Sequence, residues 1–295
     1  MNKKYSLFIK APAKINLFLE VTDKRQDGYH NIISVMQTVS LFDEIKIESG
    51  AGDGKIEIEC SDKTIPTDES NIVYKAAQSM LDYFEIKNNL KFYIDKKIPT
   101  GAGLGGGSSD GAAVIKGLLR LWETAEKGCF ANKECHLPQQ TALAAKIGAD
   151  IPFFLTGGTA LCQGIGDIVR PIKVIGKKYV ILVNPNVHIS TAQAYKDLDF
   201  SLKKTGQKHR IPPSFDGSSL YEREDFYFNR FEEVIFPLYP QIAKIKADLK
   251  SLGCISLMTG SGSAVFGIAK SKEHSEEVFE EISKLGFKTH KVETC

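Results

Sequence analysis

A chain of 295 residues, 42% of them hydrophobic, can form one large domain or two modest ones with a proper core. Its 38 basic residues nearly balance 36 acidic ones, so there is no basic excess for binding a nucleic-acid backbone. The sequence shows no signal-peptide region and no apolar run of transmembrane length. We therefore expect a cytoplasmic protein that binds no nucleic acid and no membrane.

The six cysteines give no sign of a metal site, because none forms a Cys-x-x-Cys pair. Cys129 and Cys135, with His136 beside them, come closest to a cluster, but their spacing matches no zinc pattern. Free thiols in a reducing compartment are the simpler interpretation. We assign no metal ligand to this chain.

In the first part of the chain, alternating apolar residues predict strands, and an apolar face predicts a helix that begins near Asn71. The predicted strands are residues 6–21, as two short strands around 11–13, then 32–47, 55–59 and 90–94. A second helix is predicted over 109–122, directly after a glycine-rich stretch.

The remainder of the chain mixes strands, helices and polar loops. The predicted elements are a loop at 124–137, a short helix at 138–147, strands at 159–165 and 179–183, a polar loop at 201–225, a helix at 240–252, and a last helix and strand. Because strands and helices do not alternate strictly, the pattern favours an α+β fold.

The glycine-rich stretch has the character of a phosphate-binding loop. It contains Pro99, Gly101, Gly103, Leu104, Gly105, Gly106, Gly107, Ser108 and Ser109. Glycine lets the backbone approach a ligand closely, and the start of the following helix attracts anions. A flexible linker or a plain helix cap is the competing interpretation. The apolar helical pattern that follows at once, and the entropic cost of so many glycines, argue against it.

Two familiar phosphate motifs fit this stretch poorly. A P-loop requires a Gly-Lys-Ser/Thr sequence, and the stretch contains no lysine. Gly101, Gly103 and Gly106 formally match the dinucleotide-binding pattern. That fold requires a second parallel strand after the helix, whereas residues 124–133 are polar.

Together with two further segments, the loop resembles the three motifs of the GHMP kinases. One segment, 11–17, sets Lys14 between apolar residues, and the other, 259–263, is a small-residue loop between strand-like runs. Alone, a surface lysine and a hairpin turn would explain them. The resemblance spans 11–267 and includes Asp-Gly-Tyr-His-Asn at 27–31 and Gly-Ala-Asp-Ile-Pro-Phe at 148–153.

This resemblance implies a two-domain α+β GHMP kinase fold, with an N-terminal domain at 1–165, a C-terminal domain at 166–295 and the active site in the cleft between them. It implies ATP and Mg²⁺ as cofactors. It also implies transfer of the γ-phosphoryl group to the 2-hydroxyl of a small-molecule partner, a CDP-linked methylerythritol. We expect a monomer or a weak homodimer.

The resemblance also places Lys14 and Asp150 beside the substrate hydroxyl. An alcohol needs an acceptor for its proton, so Asp150 is the expected general base. Lys14 could hydrogen-bond Asp150 and stabilise charge at the transfer site, and Asn16 could orient either residue. Taken singly, Lys14 could be a surface lysine with a buried stem, and Asp150 could cap a turn.

Tyr29 and His30 offer a stacking ring and a polar edge, which suit a nucleobase. From composition alone, a packed loop tyrosine with an exposed histidine is the simpler interpretation. The resemblance instead implies cytosine recognition, with Tyr195 opposite Tyr29. The full set of implied substrate contacts is Asn16, Tyr29, His30, Thr191, Tyr195, Thr259 and Gly260.

Two alternative functions stay open at this point. One is a GHMP kinase for another alcohol, such as homoserine or mevalonate, and the other is a non-catalytic nucleotide-binding protein of the same fold. The Asp-Gly-Tyr-His sequence argues against the first, because those kinases lack it. Retention of Lys14 and Asp150 argues against the second.

Overall fold

The computed structural model describes residues 5–125, 143–173, 176–205 and 224–295. The chain forms two compact units, each assembled from segments that are distant in sequence. The first unit comprises Met1–Ala13, Phe42–Ile98 and Gly105–Leu155, and the second comprises Lys14–Leu41, Pro99–Leu104 and Thr156–Cys295. The predicted domain boundary at residue 165 stays a prediction.

The described residues contain strands and helices in comparable amounts. The strands are β1 (Tyr5–Lys24), β2 (His30–Ala51), β3 (Ile56–Cys60), β4 (Asn88–Asp95), β5 (Thr159–Gln163), β6 (Ile168–Pro171), β7 (Tyr179–Asn184), β8 (Phe228–Asn229), β9 (Ile255–Met258), β10 (Val265–Ala269) and β11 (Lys288–Glu293). The helices are α1 (Ile72–Phe84), α2 (Gly106–Ala125), α3 (Ile151–Thr156), α4 (Thr191–Thr205), α5 (Glu232–Leu238), α6 (Pro240–Ser251) and α7 (Lys272–Ser283), with a 3₁₀ turn at Glu224–Phe226. This content confirms the predicted α+β class.

In the first unit, β2 pairs antiparallel with β4, and β4 pairs parallel with β3. Helix α1 begins after Asn71, whose side chain accepts a hydrogen bond from the backbone N–H of Val73 and so caps the helix. The predicted apolar face is buried against this unit, and Phe84 meets Trp122 of α2 edge to face, with ring centroids 5.6 Å apart. The 3.6-residue apolar period therefore positions α1 beside α2.

In the second unit, a four-stranded antiparallel sheet has the order β11-β7-β10-β9. Helices α6 and α7 pack on it, since both contact β10. The first part of β2 pairs with β5, and β8 runs parallel to β1 at Phe18 and Leu19. No helix of the described residues is both long and apolar enough to cross a membrane.

Several predicted boundaries differ from the structure. Strand β1 is continuous where two short strands were predicted, and α2 begins at Gly106 rather than at 109. Residues 201–205 belong to α4, so the predicted loop at 201–225 was wrong for its first residues. Of the predicted helix at 138–147, residues 143–147 are helical. Residues 126–142 and 206–223, with Cys129, Cys135 and His136, lie outside the described part.

A buried ion pair fixes the start of α5 in the second unit. Glu20 and Arg230 are both almost completely buried, and two hydrogen bonds of 2.6 and 2.7 Å join the carboxylate to the guanidinium. Arg230 also bonds the partly exposed Glu233. Since buried charges are costly without a partner, this contact holds β1 and the α5 segment together.

Replacing Glu20 with Ala should lower the free energy of unfolding by about 3–5 kcal/mol, because Arg230 would stay buried while it loses both hydrogen bonds to its buried carboxylate partner. Denaturant unfolding measures the loss. The matched control is Glu233→Ala, which removes the more exposed partner of the same arginine and should cost less than about 1 kcal/mol. Equal losses for the two variants would contradict the assignment.

Candidate active site

Two residues of β1, Lys14 and Asn16, share one face of the strand because they are two positions apart. Lys14 is only 4% exposed, and its Nζ donates a 2.6 Å hydrogen bond to Asn16 Oδ1. Asn16 Nδ2 donates to Ser34 Oγ at 2.8 Å, and Ser34 Oγ donates to the carbonyl of Phe18 at 2.7 Å. These bonds fix the amide with its oxygen toward the ammonium group.

The small-residue loop after β9 joins this pair directly. Asn16 N donates to Thr259 Oγ1 at 3.1 Å, and Gly260 N donates to Asn16 Oδ1 at 2.9 Å. Thr259 Oγ1 also lies within 3.3 Å of the carbonyl oxygen of Gly103. The contacts therefore bring together one residue or more from each of the three predicted motifs: Lys14, Asn16, Gly103, Thr259 and Gly260.

Gly103 can hold its place only because it lacks a side chain. Its φ is +77°, and a methyl group on its Cα would lie 2.2 Å from the carbonyl oxygen of Thr259. Backbone therefore packs on backbone at this point. Gly101 and Gly105 also have positive φ, so every second residue from 101 to 105 adopts a backbone conformation that residues with side chains rarely adopt.

Asn229 supports the same loop and was missed in the sequence. Its side chain is 2% exposed, and Nδ2 donates to the carbonyls of Met258 and Gly260 at 2.7 and 2.9 Å. These two acceptors flank Thr259. A single asparagine after a long polar stretch gave no signal of this role.

The predicted phosphate loop ends in the first turn of α2, which contains Gly106, Gly107, Ser108 and Ser109. The first N–H groups of a helix have no partner within it, and they lie at the positive end of its dipole. Ser109 is 1% exposed, and its Oγ has no hydrogen-bond partner within the described part of the chain. This turn can bind an anion.

The earlier part of the loop follows Pro99 and is held by the second unit. Leu104 is 2% exposed, and its carbonyl accepts a 3.0 Å hydrogen bond from the backbone N–H of Lys14. The ring of His188 lies against Gly101, where a methyl group would come within 2.4 Å of Nδ1. This histidine was not predicted, because nothing in the sequence around it links it to the loop.

Asp150 stands in the turn that precedes α3, and its backbone carbonyl accepts from Phe154 N at 3.2 Å. The turn lies beside the start of α2, since a methyl group on Gly148 would be 3.4 Å from Ser108 Oγ. Asp150 is half-buried. Asp150 belongs to the first compact unit and Lys14 to the second, and their pairing stays a prediction.

His30 has a closely defined environment in the second unit. Its ring stacks on that of Tyr195, with centroids 4.6 Å apart and planes 16° apart. His30 Nε2 is 2.6 Å from Asp199 Oδ1, and Lys24 Nζ donates to Asp199 Oδ2 at 2.5 Å. Although burial opposes the shift, the bonds from Lys24 and His30 lower the pKa of Asp199.

Tyr29 and Thr191 are more open. The Tyr29 side chain is 60% exposed, and its backbone N–H donates to Asp27 Oδ1 at 3.1 Å. Tyr195 stacks on His30, the residue next to Tyr29 in the chain. The predicted arrangement, with Tyr195 and Tyr29 on opposite faces of a base, stays a prediction. Thr191, at the start of α4, lies 2.9 Å from Ser261 Oγ, which connects this region to the Thr259 loop.

Three buried charged residues form a cluster around the two ends of the glycine-rich loop. Lys96 Nζ contacts Asp43 Oδ2 at 2.5 Å and Asp110 Oδ2 at 2.7 Å. Burial raises the pKa of Asp110 to about 7, although the ammonium group of Lys96 opposes the shift, and Asp43 adds to it. Asp110 had no predicted role, and Lys96 and Asp43 were not singled out.

Comparison with known proteins gives a consistent result. Residues 71–158 match the family described as GHMP kinases N terminal domain, and residues 217–288 match GHMP kinases C terminal. The chain is 37% identical over 277 residues to a 4-diphosphocytidyl-2-C-methyl-D-erythritol kinase from Shouchella clausii, covering 94% of this chain and 89% of that one. It is 36% identical to the kinase of the same name from Alkaliphilus oremlandii, covering 98% and 96%.

The chain belongs to the 4-diphosphocytidyl-2-C-methyl-D-erythritol kinase family. A crystal structure of 4-(cytidine 5′-diphospho)-2C-methyl-D-erythritol kinase matches with a TM-score of 0.80 at 28% identity, covering 98% of this chain and 99% of that one. A homoserine kinase from Cytophaga hutchinsonii matches with a TM-score of 0.72 at 17% identity, covering 98% and 94%, which shows a shared fold alone.

Membership of this kinase family confirms the GHMP resemblance, and GHMP kinases are ATP-dependent. The residues that carry the resemblance include Lys14, the glycine-rich loop and Thr259, and the hydrogen bonds of Asn16 and Thr259 join these three segments. The roles of individual residues remain proposals.

The raised pKa of Asp110 predicts a pH-dependent stability. A carboxyl group whose folded-state pKa exceeds its ordinary value stabilises the fold at low pH, and this contribution is lost as the pH rises through about 7. Asp110→Asn cannot titrate. The free energy of unfolding of Asp110→Asn, measured relative to that of the unsubstituted protein, should therefore rise by about 2–4 kcal/mol from about pH 5 to pH 8.

Denaturant unfolding at both pH values measures the difference. Asp95→Asn, on the exposed end of β4, is the control and should give a constant offset. Parallel stability curves for Asp110→Asn and the unsubstituted protein would contradict the raised pKa.

Proposed function

We propose that this protein transfers the γ-phosphoryl group of ATP to the 2-hydroxyl of 4-diphosphocytidyl-2-C-methyl-D-erythritol, a step of the non-mevalonate route to isoprenoid precursors. The observation that carries the proposal is the similarity to kinases of that name over 94–98% of the chain. The contact network around Asn16 supports it, because it joins the three segments on which the resemblance rests.

ATP would bind with its β- and γ-phosphates against the stretch from Gly103 to Ser109. The N–H groups at the start of α2 and the hydroxyls of Ser108 and Ser109 are suitable donors. Mg²⁺ would arrive on the triphosphate and neutralise charge during transfer. The described residues contain no group of three His, Cys, Asp or Glu that would hold the ion by themselves.

Lys14 and Asp150 would act on the reacting hydroxyl. The hydroxyl oxygen attacks the γ-phosphorus, its proton passes to the Asp150 carboxylate, and ADP leaves. The Lys14 ammonium, oriented by Asn16, would stabilise the charge on the transferred group. The side-chain oxygen of Asn16 holds this lysine in a defined position.

Replacing Asp150 with Asn should lower kcat by about 10²–10⁴, because an amide cannot accept the proton. The ATP affinity and the melting temperature should stay close to those of the unsubstituted enzyme. The matched control is Asp248→Asn, on an exposed face of α6, which should leave kcat unchanged. Turnover within a few-fold of the unsubstituted enzyme would reject Asp150 as the base.

His30 would distinguish cytosine from uracil. Because the Asp199 carboxylate can only accept, it favours the His30 tautomer that carries the proton on Nε2. Nδ1 of the neutral ring is then an acceptor, which suits the amino group of cytosine and opposes the carbonyl of uracil. Two acceptors that face each other in a buried site both stay unpaired, which is costly, so such a contact gives specificity.

Asp199→Ala should therefore reduce the preference in kcat/KM for the CDP-linked over the UDP-linked alcohol by about tenfold. Lys24→Ala is the control, because it removes the other partner of Asp199 and leaves the imidazole contact in place.

Tyr29→Ala should instead weaken the binding of both the CDP-linked and the UDP-linked alcohol by about 1–3 kcal/mol through lost stacking. If His30→Ala and Asp199→Ala both preserve the preference, the base is read by the backbone.

One assay tests the whole proposal: ADP release with the CDP-linked alcohol, compared with free methylerythritol, homoserine and mevalonate. We expect turnover only with the CDP conjugate. Turnover of homoserine or mevalonate would favour another member of the superfamily, and no ADP release with any alcohol would favour a non-catalytic protein. We further propose a cytoplasmic monomer or weak homodimer, and the buried free thiols Cys60 and Cys254 suit a reducing compartment.

A further inference from the structure

The side chain of Lys96 connects the residues before the glycine-rich loop to the residues after it. Lys96 lies three residues before the loop, and Asp110 lies directly after it on α2. The Lys96 and Asp110 side chains are each 6% exposed, and that of Asp43 is completely buried. Lys96, Asp43 and Asp110 are called the charge brace below.

Asp43 fixes the chain just before the loop. Its Oδ1 accepts backbone hydrogen bonds from Lys97 N at 2.6 Å and Ile98 N at 2.8 Å, while its Oδ2 contacts Lys96 Nζ. One carboxylate therefore sets both the backbone of this segment and the position of the lysine side chain.

The other end of the brace is in contact with the start of α2. A methyl group on Gly106 would lie 3.2 Å from Lys96 Nζ and 3.0 Å from Ile98 Cγ2, so the first residue of the helix rests on the brace. Asp110 then holds the ammonium from one turn further along. The brace thus fixes the first turn of α2 against the segment at 96–98.

The three charged groups of the brace add little to the free energy of folding. Burying three charged groups costs several kcal/mol each before pairing, and apolar side chains of similar volume often do as well. The ammonium also lies near the positive end of the α2 dipole, which is unfavourable. Asp110 Oδ1 has no hydrogen-bond partner within the described part of the chain. What the brace provides is a defined geometry.

We propose that Asp110 is a positioning residue for nucleotide binding, which acts through Lys96 to hold the first turn of α2 in the orientation that binds the ATP phosphates. This inference rests on the proposed ATP-dependent function. It predicts an effect on the binding of ATP rather than on the transfer step, because no group of the brace is assigned to the reacting atoms.

The charged groups that face Asp110 are its two partners in the brace, Lys96 and Asp43. The nearby thiol of Cys60 on β3 has a pKa that burial raises, so it stays neutral. The contact from α1 is apolar, since Ile72 packs against Gly107 and Gly111. A substitution at Asp110 therefore acts mainly on the brace.

The experiment compares Asp110→Ala with Asp110→Asn at about pH 8, where the carboxyl group is mainly ionised. The alanine variant removes the contact with Lys96, and the asparagine variant retains an oxygen acceptor for it. With the CDP-linked alcohol saturating, we expect Asp110→Ala to raise the KM for MgATP about tenfold and leave kcat within about threefold. Asp110→Asn should restore the KM to within about threefold of the unsubstituted value.

Two controls isolate the brace. Asp95→Ala removes an exposed carboxylate from the pair with the neighbouring Lys97 and should leave the KM for MgATP unchanged. Thermal melts establish that each variant is folded, and calorimetric titration with a non-hydrolysable ATP analogue should show the same order of affinities as the KM values.

Each possible result supports or overturns the positioning role. If both Asp110 variants lower the KM for MgATP, the carboxylate acts by repelling phosphate and the positioning role is wrong. An unchanged KM in Asp110→Ala, or a loss confined to kcat, also overturns it. If the unsubstituted protein releases no ADP yet the analogue titration shows the expected order, the proposed function fails and the positioning role stands.

Discussion

The residues of the candidate site in the second compact unit are held together by the hydrogen bonds of the Asn16 side-chain amide. Its oxygen accepts from the Lys14 ammonium and from the backbone N–H of Gly260, and its nitrogen donates to Ser34. An amide has a donor end and an acceptor end, so only one orientation satisfies all of these partners. Because Asn16 is 1% exposed, water cannot replace any of them.

The lack of a side chain at Gly103 is the second constraint. The carbonyl oxygen of Thr259 occupies the space that a Cβ would need, so the glycine-rich loop and the Thr259 loop can meet only as bare backbone. Asn229 then holds the carbonyls on both sides of Thr259. A close backbone approach of this kind fixes the loop without relying on flexible side chains, which suits the phosphate binding that we propose for it.

Local sequence signals predicted the parts of the fold that depend on local physics. The apolar period of α1, its cap at Asn71 and the glycine-rich loop are all visible within short windows. The contacts that assemble the site are not local: Asn16 and Thr259 are 243 positions apart, and Lys96 and Asp43 are 53 apart. No periodicity marks such pairs. Helix α4 was missed because its surface is largely polar, and α5 because Pro237 lies within it.

Two lysines of the site regions, Lys14 and Lys96, are buried and held by hydrogen bonds to neighbouring side chains. The Asn16 side-chain oxygen accepts a hydrogen bond from the Lys14 ammonium group and so orients it on β1. Lys96 lies between two carboxylates, which together more than cancel its charge. An ammonium in that setting attracts phosphate weakly, but it links two segments of backbone firmly. The hydrogen bonds of each buried lysine therefore fix the position of its ammonium group. In our proposal, that position serves phosphoryl transfer at Lys14 and the geometry of the first turn of α2 at Lys96.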